Sequence, residues 1–499
     1  MNNRHIFNIF LLALASMLPV GCGTRAIEPS ASSDEVPILN PDYAGVTFPV
    51  NIAAPSFHIA GDSTVTEYQT EVGRFGQPAS IVVRSESDAV ELPLSKWHRL
   101  LEESAGDSIY FRIAMRDCNG TWTSAPDIVC PVSEHPIDRY LAYRLLYPGY
   151  ELWHEMGVYQ RDLTSYEQTP ILENHEFSNQ CVNCHNFSAN DPQRGMMVHV
   201  RGAQGGTLIS KDGAVEKINS RIEGLDHGAT YPGWSRDGRH IAFSANNVSQ
   251  VFHSTGRKPI EVVDMGADLL VYDTQTHRAF TDSIICGEHH LETFPTWTPD
   301  GTRLYFCRAE GMREGMALDS VRYDLYRIDF DAATGRFSNL QPVYEASADT
   351  ASVSFPRVSP DGRWLMFTLS HYGNFSIWHP EAQLCLMDLH SGEWHVLGPE
   401  VNSDDIESYH SWSSDGRWFV FSSKRLDGLW ARPFIASFDP ATGAVGKAFP
   451  VPQESADYYR LFSRTYNIPE LITSPVTNAD ALLDGIVGQQ ACPVTLIKN

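Results

Sequence analysis

The chain has 499 residues and carries 61 acidic against 37 basic side chains, which gives a formal net charge of −24. This excess of negative charge argues against nucleic acid or an anionic membrane surface as a partner. The charge bears on solubility and not on the fold.

The first residues have the pattern of an export signal. Arg4 and His5 form a short basic start, residues 6–20 are an apolar run, and Gly21-Cys22 follows. A run of this length suits a signal peptide and is too short to span a membrane. Because it ends in a small residue and a cysteine, it resembles a bacterial lipoprotein signal, with Cys22 as the lipidated residue after cleavage. The alternative is an ordinary signal peptide that leaves Cys22 as a free thiol.

The segment after the signal is polar and bears Pro and Ser, which is typical of a tether. We therefore expect residues 1–21 to be removed and residues 22–42 to link the lipid to a folded domain. The protein would be lipid-anchored in the cell envelope, at the outer membrane, and would face the periplasm.

Short β-strand patterns separated by Gly, Asp and Ser turns run through residues 43–135. They predict a small Ig-like or fibronectin-like β-sandwich with one short helix over 95–103. Residues 136–197 are rich in Tyr and Trp but show no sustained period, so we expect an irregular linker there.

One motif in this linker carries chemistry, the stretch Cys181-Val182-Asn183-Cys184-His185. CxxCH is the attachment signature of haem c, in which two thiols bond the porphyrin and the histidine ligates the iron. Two other interpretations are a thiol–disulfide centre and half of a zinc site. The surroundings are polar and lack both a thioredoxin-like pattern and a second CxxC, which favours haem.

The strand pattern after the motif offers a second iron ligand. Met197, His199 and Arg201 alternate onto one face, so Met197 or His199 could be the second axial ligand and Arg201 could pair with a haem propionate. His154 and His175 are further alternatives. Met197 as a gap-filling core residue and His199 as a surface histidine remain open interpretations.

From residue 198 onward the chain repeats. Four units align on the Asp of an Asp-Gly turn, with an aromatic residue six positions earlier and a phenylalanine six positions later. The aligned residues are Asp237, Asp300, Asp361 and Asp415, preceded by Tyr231, Phe294, Phe355 and Tyr409 and followed by Phe243, Phe306, Phe367 and Phe421. Each unit continues into a second hairpin pattern, and two hairpins make the four strands of one propeller blade. The sequence predicts an all-β fold with a β-propeller of five to seven blades over 198–499.

The units YPGWSRDGRHIAF, FPTWTPDGTRLYF, FPRVSPDGRWLMF and YHSWSSDGRWFVF resemble the TolB-like, WD-repeat-like propeller repeat. Taken whole, the chain resembles TolB-like exported lipoproteins of Bacteroidetes-type bacteria that carry one CxxCH ahead of the propeller. The resemblance implies the fold and implies no particular activity.

Six cysteines remain after lipid and haem are assigned, namely Cys118, Cys130, Cys286, Cys307, Cys385 and Cys492. The pairs Cys118–Cys130 and Cys286–Cys307 would each bracket a hairpin, and free buried thiols are the alternative.

Polar residues at matching positions in the repeats suggest a second site on the propeller axis. His227, His290 and Asp405 stand ten residues before the aligned aspartates, and His410 stands five before its own. They could form a metal or ligand site, or simply line a wet channel.

These observations predict a membrane-anchored monohaem c-type cytochrome that transfers electrons to an unidentified redox or protein partner docked on the propeller. The alternative is a propeller lipoprotein that binds proteins or glycans without a redox role. A haem enzyme is a third hypothesis, and no catalytic motif identifies a reaction.

Overall fold

The computed structural model describes residues 26–61, 63–147, 155–225, 227–256 and 258–499. The predicted signal peptide, Cys22 and His154 lie outside these residues. Within them, no helix combines the length and the apolar character needed to cross a membrane.

The N-terminal part folds into a seven-stranded sheet, a three-stranded sheet and one helix, Leu94–Glu103. The larger sheet contains Ala31–Ser32, Phe48–Pro49, Val65–Arg74, Ile81–Ser85, Ser108–Asp117, Trp122–Ser124 and Ile128–Ser133. The smaller sheet contains Leu39–Asn40, Ser56–Ile59 and Ala89–Glu91. The predicted helix is confirmed. The predicted tether is not wholly a tether, because two of its segments pair with these sheets.

The core of this N-terminal part continues into the rest of the molecule. Trp97 of the helix is fully buried, and its indole Nε1 donates to the Ile52 carbonyl at 3.0 Å. Phe48 packs on Trp97 and on Phe449, which belongs to the last sheet of the chain. The N-terminal part and the repeats therefore share one hydrophobic core.

The rest of the chain forms six antiparallel sheets of four strands, numbered I to VI below. Sheet I has Tyr140–Leu146, Met156–Asp162, Gln168–Glu173 and Thr465–Ile472; sheet II has Val182–Phe187, Met196–Val200, Gly206–Lys211 and Ala214–Ile218; sheet III has Ala229–Trp234, His240–Phe252, Ile260–Asp273 and Arg278–Thr281, with Thr495–Lys498 added in parallel. Sheet IV has His290–Trp297, Arg303–Glu310, Asp324–Asp331 and Arg336–Tyr344; sheet V has Ser352–Val358, Trp364–Ser370, Gln383–Asp388 and Trp394–Val396; sheet VI has Glu407–Trp412, Trp418–Ser423, Arg432–Ser437 and Phe449–Pro450.

The short helices lie between or after these strands. The α-helices are Tyr458–Leu461 and Ala479–Gly488, and the 3₁₀-helices are Asn174–Phe177, Ser188–Asn190, Leu318–Ser320, Ala346–Asp349 and Ser376–Trp378.

The innermost strands of the six sheets touch one another in a closed succession. The strand Thr465–Ile472 closes it, because this strand pairs antiparallel with Tyr140–Leu146 and lies between the inner strands of sheets VI and II. The fold is all-β and of propeller type, as the repeat predicts.

The segment 136–197 is not irregular, contrary to the expectation from its sequence. It supplies three strands of sheet I and the first two strands of sheet II. All seven residues of Met156–Asp162 are buried. A strand that is covered on both faces has no alternation of polar and apolar residues, so the period-two signal is missing.

The four predicted Asp-Gly hairpins are present and share one hydrogen-bond pattern. In each, the Asp carboxylate accepts from a hydroxyl two residues earlier and from the backbone N–H two residues later. Asp415, for example, accepts from Ser413 Oγ at 2.6 Å and from the Arg417 N–H at 3.0 Å. The glycine that follows has a φ between 69° and 77°, a backbone conformation that residues with a side chain rarely adopt.

We expect Asp415→Ala to lower the free energy of unfolding by about 1–2 kcal/mol, because it removes two hydrogen bonds to a charged acceptor. The midpoint of urea unfolding measures the change. Asp404→Ala, at an exposed aspartate, is the control and should change the midpoint little. Equal shifts for the two variants would contradict a structural role of the turn.

The eight cysteines in the described ranges are all free thiols. The pairings Cys118–Cys130 and Cys286–Cys307 are therefore wrong for this structure. Cys130 and Cys307 are buried in separate hydrophobic clusters, where they act as small apolar side chains.

Candidate functional site on the ring axis

One residue in each of the six inner strands has a left-handed backbone. These residues are Cys184, Tyr231, Phe294, Phe355, Tyr409 and Ile468, with φ between 32° and 54°. Each lies where the pairing with the neighbouring strand shifts its register, which is a β-bulge. A bulge changes the direction of a side chain, and here all six line one cavity on the axis. We call these six residues the axial ring.

The aromatic members of the axial ring pack on one another. Ring centroids are 5.0 Å apart for Tyr231 and Phe294, 4.0 Å for Phe294 and Phe355, and 4.8 Å for Phe355 and Tyr409. The axial ring narrows the channel, so that the cavity at this level has a volume of only about 30 Å³. It separates two chemically different regions of the axis.

On one side of the axial ring the narrow cavity has ionisable side chains in its lining. His185, Arg357, His410 and Glu470 line it. Burial lowers the pKa of both histidines to about 3, and burial raises the pKa of Glu470 to about 7 against the opposing charge of Arg357. Both imidazoles are therefore neutral at physiological pH.

On the other side the channel widens into a cavity of about 710 Å³, which we call the large cavity. Its floor is formed by Tyr231, Phe355, Tyr409 and Ile468 of the axial ring, and its walls are largely apolar. The wall residues include Leu146, Met156, Val248, Phe252, Ile260, Val262, Phe375, Ile377, Trp378, Leu429 and Ala431. A largely apolar cleft with a few polar groups is the usual form of a cofactor or ligand site.

Three cations line the large cavity in a protein that is otherwise strongly acidic. They are Arg144, Arg201 and Lys424. The Nη1 of Arg144 donates to the Val182 carbonyl at 3.3 Å and to Asn183 Oδ1, while its buried Nε has no hydrogen-bond partner among the described residues. The wall therefore favours a ligand with negative charge.

A long hairpin of sheet III forms one wall of the large cavity and is fixed to sheet V. Lys258 Nζ lies 2.7 Å from Glu261 Oε1, 3.0 Å from the Tyr372 hydroxyl and 3.0 Å from His379 Nε2. Asn374 Nδ2 donates to the buried Asp264 carboxylate at 2.6 Å. These contacts hold the hairpin over sheet IV, so the wall is part of the folded structure.

The CxxCH motif lies at the boundary between the two regions. It is not in a polar loop but in the inner strand of sheet II. Cys181 lines the large cavity, Cys184 is a member of the axial ring and is 2% exposed, and His185 lines the narrow cavity. Burial raises the pKa of the Cys184 thiol, and the charges of Arg144 and Arg201 oppose this.

His185 is buried without a hydrogen bond at its outer nitrogen. No described residue forms a hydrogen bond with its Nε2, and the Glu470 Oε1 is 3.9 Å away from it. An unpartnered imidazole nitrogen is what a metal ligand offers before the metal is bound. It lies, however, on the side of the axial ring away from the large cavity.

The donor set fits haem c in most respects. Cys181 and Cys184 are the residues that would bond the porphyrin, the large cavity supplies apolar walls, and Arg144 and Arg201 supply positive charge for carboxylates. The buried Nε of Arg144, which has no hydrogen-bond partner among the described residues, would suit such a carboxylate. The placement of His185 is the one element that does not match.

Met197 and His199 do not reach either cavity. The predicted alternation is correct, since Met196 and Val198 pack in one cluster and Met197 in another. The second face, however, is covered by sheet III: Met197 is fully buried beside Trp234. The His199 Nδ1 lies 3.1 Å from Thr207 Oγ1. Of this face only Arg201 lines the large cavity.

The polar cluster expected on the axis is not formed. His410 lines the narrow cavity, whereas His227, His290 and Asp405 line neither cavity. Among the described residues no group of three His, Cys, Asp or Glu side chains is arranged to hold a metal ion. His175 lines a separate pocket beside sheet I.

Two functional features escape the sequence reasoning. The first is that the motif belongs to the repeat, because Cys184 occupies the position of Tyr231, and Phe187 follows it by three residues as Trp234 follows Tyr231. That spacing is a signal that could have been found. The second is Lys424, which directly follows a strand and has the sequence context of an ordinary surface lysine.

No protein-family model and no curated protein matches the chain. Solved structures similar to it include an oligogalacturonate lyase from Vibrio parahaemolyticus, with 14% identity over 58% of this chain and 70% of that one and a TM-score of 0.35. For a puromycin-hydrolysing peptidase from Mycobacterium tuberculosis, the identity is 13% over 70% of this chain and 52% of that one, with a TM-score of 0.36. For hydrazine synthase from Kuenenia stuttgartiensis, the identity is 12% over 51% of this chain and 76% of that one, with a TM-score of 0.29. Similarities at this level bear on neither function nor site.

Proposed function

We propose that the protein is a lipid-anchored, exported monohaem c-type cytochrome, with each of the six sheets acting as one blade of a TolB-like propeller. Haem c would be bonded to Cys181 and Cys184 and would occupy the large cavity. The bound group supplies a one-electron iron couple. The observation that carries the proposal is that a CxxCH thiol opens into an apolar cavity of about 710 Å³ lined by three cations.

The residues of the chain have distinct roles in this proposal. Arg144 and Arg201 pair with the carboxylates of the group, and the aromatic floor excludes water from its inner face. His185 is the proposed iron ligand because of its place in the motif, and this role requires that the bulge at Cys184 be rebuilt on attachment. Met197 and His199 are no longer proposed as second ligands, since both are packed elsewhere.

The mouth of the large cavity supports a partner contact. Phe252 and Leu429 line the cavity and are 53% and 64% exposed. Apolar side chains exposed around an opening are typical of an interaction surface. We propose that the redox partner docks there, and that the Cys22 lipid, outside the described residues, holds the protein at the membrane.

The proposal is tested by asking whether haem is bound covalently to the protein. The full chain is produced with its own signal in a host with a c-type maturation system, extracted with acid–acetone and examined as the pyridine haemochrome. We expect the wild-type protein to keep a c-type band, and Cys181→Ala with Cys184→Ala to lose it completely. Cys118→Ala with Cys492→Ala is the matched control and should keep the band, because neither thiol lines a cavity on the axis.

A colourless wild-type protein, from a host that matures a control cytochrome, would contradict the proposal. The alternative would then stand, in which the propeller is a protein- or glycan-binding module without a redox role.

A further inference from the structure

The channel continues past the narrow cavity into a third space of about 140 Å³, which we call the outer cavity. Along each inner strand and the turn after it, the residues that line this space come after the member of the axial ring. The outer cavity therefore lies on the side of the axial ring away from the large cavity. The two thiols and the histidine of the CxxCH motif do not line it, so it is separate from the space proposed for haem. The residues that it shares with the narrow cavity are Asn186, Pro232, Arg357, Ser411 and Glu470.

Two half-buried arginines give the outer cavity a positive charge. Arg236 forms neither a hydrogen bond nor an ion pair with any described residue, and the Nη1 of Arg357 donates to the carbonyl of the preceding Pro356 at 3.1 Å. The acidic residue in the lining, Glu470, attracts Arg357 but forms no ion pair with it within 4 Å, and its Oε2 accepts from the Asn186 amide at 3.1 Å. Burial lowers the pKa of Arg357, yet a guanidinium stays charged at physiological pH. Partly desolvated cations that line a cavity without an ion pair favour an anion as ligand.

Most of the neutral hydrogen-bond donors in this lining are already engaged within the protein. The hydroxyls of Thr298 and Ser359 donate to the aspartates of their turns, and the Ser411 hydroxyl donates to the Pro469 carbonyl at 3.0 Å. The Asn190 amide donates to two backbone carbonyls, at 2.9 and 2.8 Å. The guanidiniums are thus the main donors that the cavity offers to a ligand. Their planar fork matches a carboxylate, which accepts two parallel hydrogen bonds.

We propose that the outer cavity binds a small, diffusible organic acid, with one carboxylate paired to the Arg357 guanidinium and with Arg236 adding positive charge. The carbon atoms of the acid would contact the apolar part of the wall, which consists of Trp234, Trp297, Trp412, Pro232, Pro299 and Pro360. A volume of about 140 Å³ is several times the roughly 30 Å³ that one water occupies in the liquid, which limits the acid to a few carbon atoms. The site goes beyond the proposed cytochrome and does not depend on it. Acid and haem would lie on opposite sides of the axial ring, so that both can be bound at once.

The test uses three probes: malonate, its neutral diamide, and inorganic phosphate. Binding to the full chain is measured by calorimetry. We expect malonamide, which has no charge, and phosphate, whose further oxygens meet few free donors, to bind roughly tenfold or more weakly than malonate. Arg357→Met should lose roughly tenfold or more in malonate affinity, and Arg357→Lys should retain part of it, because the charge stays and the fork is lost.

Three further variants locate the site. Arg236→Met should weaken malonate binding about threefold, less than Arg357→Met, because it removes a second charge and not the paired guanidinium. Arg313→Met, at an exposed arginine, is the matched control and should retain the full affinity. Cys181→Ala with Cys184→Ala should also retain it, since neither thiol lines the outer cavity. This last result separates the inference from the haem proposal, which predicts that the same variant loses its cofactor.

Several results would overturn the inference. They are no binding of malonate to the wild-type protein at millimolar concentrations, equal malonate affinity of the wild-type protein and Arg357→Met, and phosphate binding as tight as that of malonate. Loss of malonate binding in Arg201→Met together with full affinity in Arg357→Met would place the acid in the large cavity instead. Thermal unfolding shows which variants are folded. If Arg357→Met does not fold, Arg357→Lys and Arg236→Met decide the question, and full affinity in both would contradict the proposal.

Discussion

Phe355→Ala is expected to destabilise the protein by about 4 kcal/mol, within the range for removing a buried phenylalanine. The Phe355 ring is 4% exposed and lies between Phe294 and Tyr409, with centroids at 4.0 and 4.8 Å. Alanine at this position leaves a cavity among the aromatic side chains of the axial ring. It also has to keep the left-handed backbone of Phe355, which alanine does not favour. The free energy of unfolding, from urea titration followed by circular dichroism, measures the effect.

Phe75→Ala is the matched control for this prediction, because the same side chain is removed at a site that is 54% exposed. We expect it to change the free energy of unfolding by no more than about 0.5 kcal/mol. If both variants unfolded at the same urea concentration, the axial ring would not be a packed element of the fold.

Lys424→Met is expected to stabilise the ligand-free protein at pH 7 and to have little effect near pH 10.5. Burial lowers the pKa of Lys424 from 10.5 to about 8. The folded protein therefore binds fewer protons than the unfolded chain between these pH values, and stability rises with pH across that window. Below pH 8 the folded protein carries the full cost of burying the charged amine, about 3 kcal/mol for a pKa shift of this size. Methionine carries no charge and removes this cost.

The expected gain in the free energy of unfolding is smaller than this, because Lys424→Met also loses the cation–π contact with Trp378. That contact contributes about 1 kcal/mol. Urea titrations at pH 7 and at pH 10.5 measure the difference, with Lys96→Met as the control that should leave the free energy of unfolding unchanged at both pH values. A less stable Lys424→Met protein at pH 7 would show that the amine has a compensating partner. The position would then be an ordinary structural lysine.

The repeating part of the fold could be predicted because its signals are local. Each signal lies within one hairpin: an Asp-Gly turn, an aromatic residue six positions before the Asp, and a phenylalanine six positions after it. Sheets III to VI each begin with such a hairpin. Sheet II could be predicted only in its later half, because Asn190-Asp191 stands where the other units have Asp-Gly. Sheet I could not be recognised, since its inner strand is Thr465–Ile472 and its other strands precede residue 174.

The sequence motif of the site could be found from the sequence, whereas its geometry could not. Cys181, Cys184 and His185 are identified by spacing alone, but which cavity each side chain enters depends on the bulge at Cys184. A bulge is set by the packing around the axis and has no signature in one strand. Alternation correctly separates the two faces of the strand at Met197, but it cannot say that sheet III covers the second face.

The closing strand has a consequence for the order of events during folding. Residues 140–146 pair with a strand more than 300 positions later in the chain, so the ring cannot close until residues 465–472 are in place. Contacts of such high sequence separation form late. Cys184 lies in the strand next to this gap and is 2% exposed once it has closed. If haem c is attached as proposed, the attachment enzyme would have to reach the Cys184 thiol before the ring closes, and a chain that closed first would have to reopen before it could be loaded.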